Sequence, residues 1–184
     1  FRWEGGFAFT GIAGMSFHGG LIAVLLGVWW IVRRRGLDYR EVADLFAPAV
    51  PLGYPFGRLG NFIHGELFGR ITRLPLGMYF PAAPGPGMRH PSQLYEAFFE
   101  GLVLFVLLWA LRRRALPRGA MLALYLAGYG TMRCFIEYFR EPDAHLGFVL
   151  RHFSMGQLLC IAMIGAGVGL YAHYRRLDRA SRKE

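Results

Sequence analysis

GAMLALYLAGYGTMRCFIEYF, residues 119–139, carries only two charged side chains, Arg133 and Glu137. A helix needs about 20 largely apolar residues to cross the hydrocarbon core of a bilayer, and this stretch reads as such a span. Tyr129, Arg133 and Glu137 recur at every fourth position, which places them on one helical face. With a rise of 1.5 Å per residue, Arg133 lies about 21 Å along the helix from Gly119, too deep to reach back to the near end. A charge at that depth is costly and by default faces the bundle interior. The bland reading is a structural Arg–Glu pair. Buried ion pairs add little net stability, which tilts the reading toward function.

Working outward, three more runs have the same character: His18–Val32, Leu94–Leu111 and Ser154–Tyr171. A further apolar stretch, Phe46–Ile63, contains Pro48, Pro51, Pro55 and several glycines. It is expected to be a broken segment that lines a polar cavity. With 54% hydrophobic and only 18% charged residues among 184, the chain lacks the polar coat of a soluble domain. The net charge of +9 is not spread along a polar face, which argues against a nucleic-acid partner. It is clustered just after apolar runs, at Arg33–Arg35, at Arg112–Arg114 with Arg118, and from Arg175 to Lys183. By the positive-inside rule these clusters share the cytoplasmic side, with the C-terminus there as well. Residues 65–91 and 141–153 then lie on the outer face, and Pro81–Gly87 forms a loop. Asp38–Leu45 fits a short amphipathic surface helix.

The expected fold class is therefore all-α: an integral membrane protein built as a multi-helix transmembrane bundle, with a broken Gly/Pro-rich segment and a small outer-face loop region. Residues 1–184 are expected to form a single transmembrane domain, and the start at Phe1 suggests an N-terminally truncated fragment. Cys134 and Cys160 sit in apolar runs and read as packing residues. No spacing suggests a disulfide, a metal site or a cofactor.

Three further groups of polar residues stand out. GRLGNFIHGELFGR, residues 57–70, puts Arg58, Asn61, His64 and Glu66 among closely spaced glycines. Glycine lets a ligand or a helix approach the backbone, and a guanidinium offers a planar fork of donors suited to phosphate. The competing reading is a glycine-rich packing face with a snorkelling arginine. In SFHGG, residues 16–20, His18 opens an apolar helix and suits a general base or a phosphate donor, or simply an interfacial position. In HPSQLYE, residues 90–96, Ser92 reads as a helix cap. Glu96 and Glu100 share a face and need a polar partner such as an arginine.

Together with GYGTMRCFIEYFREPD (128–143) and SMGQ (154–157), these blocks occur in the order seen in the prolipoprotein diacylglyceryl transferases, which the chain resembles from about Met15 onward. The resemblance implies transfer of a diacylglyceryl group from phosphatidylglycerol to the lipobox cysteine of prolipoprotein signal peptides, in a bacterial cytoplasmic membrane and without a cofactor. It makes Arg58 and Arg133 the essential pair on the lipid phosphate. It assigns His18, Asn61, Glu66, Gly69, Tyr129 and Glu137 to the same site, with His90 and Arg140 beside them. The family has His64 more often as Asn, and further helices upstream of SFHGG. The identity of the base that activates the thiol, His18 or a carboxylate, stays open. A transporter or binding protein for an anionic lipid headgroup would use similar residues. It would not require five blocks in one order.

Overall fold

The structure, a computed structural model, describes residues 2–3, 7–8, 17–141, 148–149 and 153–181. The chain divides into two compact units, Phe1–Val42 and Ala43–Glu184. The first holds two paired antiparallel strands, β1 (Arg2–Trp3) and β2 (Phe7–Ala8), and the helix α1 (Phe17–Arg35). Arg33, Arg34 and Arg35 end α1, where cations complement the carbonyl end of the helix dipole. Two of them lie over indole rings one turn back, Arg33 on Trp29 at 5.6 Å and Arg34 on Trp30 at 5.2 Å. The unit boundary falls within α2 (Tyr39–Phe46), the amphipathic helix expected from Asp38–Leu45. Asp38 caps it, accepting the Arg40 backbone N–H at 2.9 Å.

In the second unit, α3 (Ala49–His64) overturns the expectation of a broken segment. It is one continuous helix. Pro51 falls in the first turn, where backbone N–H groups have no intrahelical partner anyway. Pro55 lies inside the helix, so its own missing N–H leaves the Pro51 carbonyl without its usual donor. The adjustment appears in the neighbouring rod instead. There α4 (Ser92–Glu96) runs through a π-helical segment, Ala97–Val103, into α5 (Leu104–Leu111). A Cβ on Gly101 of the π segment would stand 2.3 Å from Cγ of Pro55 and 3.4 Å from the Pro51 carbonyl oxygen. Only glycine fits against the proline ring and the carbonyl it has freed.

Next come α6 (Ala120–Ile136), the paired strands β3 (Phe148–Val149) and β4 (Phe153–Ser154), and α7 (Met155–Ser181). The last helix runs ten residues past the expected Tyr171, because its basic tail is rich in Arg and Ala, both good helix formers. α6 and α7 pack closely, and a Cβ on Gly167 would lie 2.6 Å from the Ala127 backbone nitrogen. Gly165 and Gly169 meet nothing within 4 Å, so one glycine of the cluster makes the close contact. Asp44 of α2 caps α6 from a distance in sequence: its carboxylate accepts the Gly119 N–H at 2.7 Å and the Leu122 N–H at 2.9 Å. The core under this cap is Ala47, Leu104, Leu108 and Met121.

Ser92–Leu111 and Gly156–Ser181 are long and apolar enough to cross a membrane, while Ala120–Ile136 is apolar but shorter. Much of this apolar surface is uncovered, with Val24 at 62%, Leu159 at 59% and Val168 at 58% exposure. Exposed apolar surface this extensive marks contact with lipid or another apolar partner.

Two substitutions test these supports. Asp44→Ala removes an acceptor from two helix-start N–H groups, so thermal unfolding in detergent should show a loss of about 1–2 kcal/mol, with Asp44→Asn in between because its one amide oxygen can accept only one of the two. Gly101→Ala should cost about 1–3 kcal/mol by overpacking. Adding Pro55→Ala should return part of that loss, because the two residues are in direct contact.

Candidate active site

Three helices bring their polar residues to one oxygen atom. Glu96, the last residue of α4, is fully buried. Its Oε2 lies 3.0 Å from Nε of Arg58 on α3 and 3.0 Å from NH1 of Arg133 on α6. Tyr54, also on α3, donates its hydroxyl to the same oxygen at 3.2 Å. Sharing that oxygen sets the two guanidinium nitrogens no more than about 6 Å apart. Two unit charges at about 6 Å repel by roughly 3 kcal/mol at an effective dielectric of 20, so the carboxylate between them is what makes the approach tolerable.

The depth is ordered. Glu96 has no exposed side-chain area, whereas Arg58 and Arg133 keep 20% and 16%. The carboxylate is the fully buried member of the cluster, and both arginine side chains are partly exposed. Arg133 has two further acidic neighbours, Glu100 Oε1 at 3.6 Å and Glu137 Oε2 at 3.7 Å. Glu100 is itself fully buried, and neither of its oxygens has a hydrogen-bond partner among the described residues. Glu137 packs on the first turn of α7, where a Cβ on Gly156 would stand 2.6 Å from its Oε1. Arg58 also donates to Oδ1 of Asn61 at 3.3 Å and lies 4.9 Å from the centre of the Tyr54 ring. The Tyr54 ring in turn meets Tyr129 edge-on at 6.0 Å.

A small cap of bridged segments closes one end of this cluster. Gly69 N–H donates to the His90 carbonyl at 2.8 Å, Arg70 N–H to the Phe139 carbonyl at 2.9 Å, and Thr72 N–H to the Met88 carbonyl at 2.8 Å. A Cβ on Gly69 would come within 2.4 Å of the Phe139 carbonyl oxygen and 2.8 Å of His90 Cβ. Three stretches of backbone therefore meet there only because residue 69 has no side chain. Buried Arg89 ties the cap together, reaching the carbonyls of Gly69 at 3.3 Å and Pro84 at 3.0 Å, the Glu141 carboxylate and the face of Phe68. The start of α4 is pinned from below. Gln93 Nε2 donates to the Glu66 carbonyl at 2.7 Å, and Ser92 Oγ to the Leu67 carbonyl at 3.0 Å.

A family model described as prolipoprotein diacylglyceryl transferase matches residues 2–173. The chain belongs to the prolipoprotein diacylglyceryl transferase family. It is 62% identical over 167 residues to the phosphatidylglycerol–prolipoprotein diacylglyceryl transferase of Chlorobaculum tepidum, covering 91% of this chain and 58% of that protein. It is 49% identical over 176 residues to the enzyme of that name from Paracidovorax citrulli, covering 95% and 62%. The match to the Treponema pallidum protein of the same name is 41% over 214 residues, covering 91% and 64%. The chain thus spans about three-fifths of the length of these curated relatives.

The residues that the family motifs single out fall into four groups. Arg58, Asn61, Tyr129, Arg133 and Glu137 come together around Glu96 and Glu100. Gly69, His90 and Arg140 belong to the cap, with Arg140 supplying a carbonyl to Nε of Arg70 at 2.8 Å. Glu66 contributes its carbonyl to Gln93, while the residue itself is exposed. His18 lies in the first turn of α1, in the other unit, and its side chain is outside the described residues. Ser92 is not the helix cap expected of it. Pro91 occupies the cap position, and the Ser92 hydroxyl is committed to Leu67. Gly53, Gly57 and Gly60 meet nothing within 4 Å, so α3 does not use them as a packing face among the described residues.

Sequence reasoning missed Tyr54 and Arg89 and left Glu96 without a role. The Tyr54–Arg58 spacing of four is a readable signal. Nothing local marks Arg89.

His90 is almost fully buried, with Nδ1 3.2 Å from the Tyr95 hydroxyl, beside the Phe139 ring and an apolar cavity of about 260 Å³. Burial lowers its pKa below the ordinary value. Its neutral form is therefore favoured in the folded chain, and the unfolded chain binds the extra proton first. The resulting stability is complete above the unfolded value of about 6.5 and is lost as pH falls from there through the folded value. Unfolding midpoints at pH 8 and pH 5 should differ more in the parent than in His90→Gln.

Proposed function

We propose that this chain carries the active centre of diacylglyceryl transfer from phosphatidylglycerol to the lipobox cysteine of a prolipoprotein signal peptide. The observation that supports it most directly is the convergence of Arg58 and Arg133 on a single oxygen. Two cations held that close, with partly accessible edges, suit one phosphate group. In the reaction a thiolate sulfur bonds to the glyceryl carbon as the carbon–oxygen bond to phosphate breaks. The electron pair leaves on glycerol phosphate, and the thiol proton passes to a base, for which His18 or a site carboxylate is available. Phosphodiester becomes phosphomonoester, so negative charge accumulates on the leaving group. Guanidinium groups placed at that charge lower the barrier, more so where water is excluded. Asn61 orients Arg58, Glu137 flanks Arg133, and Tyr129 walls the site, with Glu66, Gly69, His90 and Arg140 shaping the outer rim.

The setting we propose is a multi-pass helical bundle in the bacterial cytoplasmic membrane. The two long apolar rods, the uncovered apolar surface and the Arg–Trp stacks at helix ends support it. The arginine clusters favour a cytoplasmic C-terminus, and residues 65–91 then face outward.

Arg58→Ala and Arg133→Ala should each lower thioether formation on a lipobox peptide to about 1% or less of the parent, the scale on which lost charge-stabilising donors count. Both variants should still insert in the membrane. Full activity in both would reject the clamp, and headgroup binding without any thioether in the parent would favour a lipid-binding protein instead.

A further inference from the structure

The clamp has a component beneath it that the transfer reaction itself does not call for. Glu96 touches both guanidinium groups through one oxygen, has no exposed area, and comes from a third helix. Its position allows two roles. It could be a placeholder that a phosphate pushes aside, or a buttress that stays. The ordering of depth decides between them. Both arginine side chains keep some exposed area while Glu96 has none, so an anion can reach the arginines without first displacing Glu96. The Tyr54 hydroxyl adds a third donor to the same oxygen. The Glu96 backbone lies where α4 passes into the π segment, which Gly101 seats on Pro55. Three donors on one oxygen, from two other helices, tie this side chain in place.

We infer that Glu96 is a positioning residue, a buried carboxylate buttress that holds Arg58 and Arg133 side by side so that both face one phosphate as it gains its second negative charge. The inference rests on the reading of the two arginines as a phosphate clamp. Arg58 spends Nε on Glu96 and NH1 on Asn61. Its remaining N–H groups are left for the anion, and the partly exposed Arg133 offers its own edge alongside. Without the carboxylate the like charges repel. Arg133 has Glu100 and Glu137 to move toward, while Arg58 has Asn61, so the pair would separate.

Separated arginines can each still bind a phosphodiester, which carries one negative charge. They lose the joint hold on a phosphomonoester, which carries nearly two at neutral pH. Glu96 should therefore matter little for phosphatidylglycerol in the ground state and much for the departing glycerol phosphate. That selectivity separates a positioning role from a purely structural one.

The test uses the purified chain in detergent, with Glu96→Gln as the main variant and Glu96→Asp as the second. Asp keeps the charge but draws the shared oxygen back by one methylene, so it is read in the same way if the Gln variant fails to fold. Binding of glycerol phosphate and of phosphatidylglycerol is measured by calorimetry, and kcat and KM for transfer are measured per folded molecule. Glycerol phosphate affinity and kcat should each fall roughly 10- to 100-fold, the scale on which partners orienting a binding group count. Phosphatidylglycerol affinity and KM should stay within about threefold, since a single anionic charge can be held by either arginine. Equal loss for both ligands, or loss for neither, would overturn the buttress. Selective loss of glycerol phosphate binding in the Glu96 variants, with no thioether made by the parent, would sink the transferase reading and leave Glu96 in its role. Parent transfer matched by both variants would do the reverse.

Discussion

A carboxylate cut off from solvent and shared by two guanidinium groups is the constraint on which the second unit is arranged. Moving charges out of water is costly, and the cost is met only where each charge finds an opposite partner at close range. Glu96 finds Arg58 and Arg133 at 3.0 Å each, and those residues come from α3, α4 and α6. Displacing any of the three helices would leave a buried charge exposed to an apolar interior. One atom therefore fixes the mutual position of three rods, and the same arrangement leaves two cations facing a common point.

The backbone irregularities follow from the same packing. Pro55 removes a hydrogen bond from α3, yet the helix continues, and the neighbouring rod packs its Gly101 against the proline ring. The π segment Ala97–Val103 widens that rod where Gly101 meets the proline ring, with Glu96 just before it and Glu100 in its middle. π-helical turns recur at functional sites because they re-aim side chains. Here the turn separates two carboxylates along the face that Arg133 approaches. The cap at the end of the cluster depends in turn on Gly69 and Arg89, one by having no side chain and the other by having a long one.

Much of this was legible in the residues. Apolar runs gave α1, the Ser92–Leu111 rod, α6 and α7 to within a few residues at most ends, because hydrophobic length is a local property. The fourfold spacing of Tyr129, Arg133 and Glu137 put them on one face, and the lone acids Glu96 and Glu100 announced that they needed cations. The reading failed where a residue's conformation depended on its neighbour. Prolines in Phe46–Ile63 suggested a break, but the accommodation lay 46 positions away from Pro55, at Gly101. Ser92 looked like a cap because caps are recognised locally, whereas its hydroxyl was claimed by a carbonyl 25 residues earlier.

The sequence by itself determined which segments are apolar helices, where their basic ends lie, which polar residues are too costly to be incidental, and to which family the motif order belongs. Only the tertiary structure decided which carboxylate the two arginines share, which of the polar residues stand around it, and which serve the cap instead. The physical reason is range. Hydrophobicity and helical period act over a few residues, while the pairing of a buried charge is settled by whichever helix brings an opposite charge within about 3 Å.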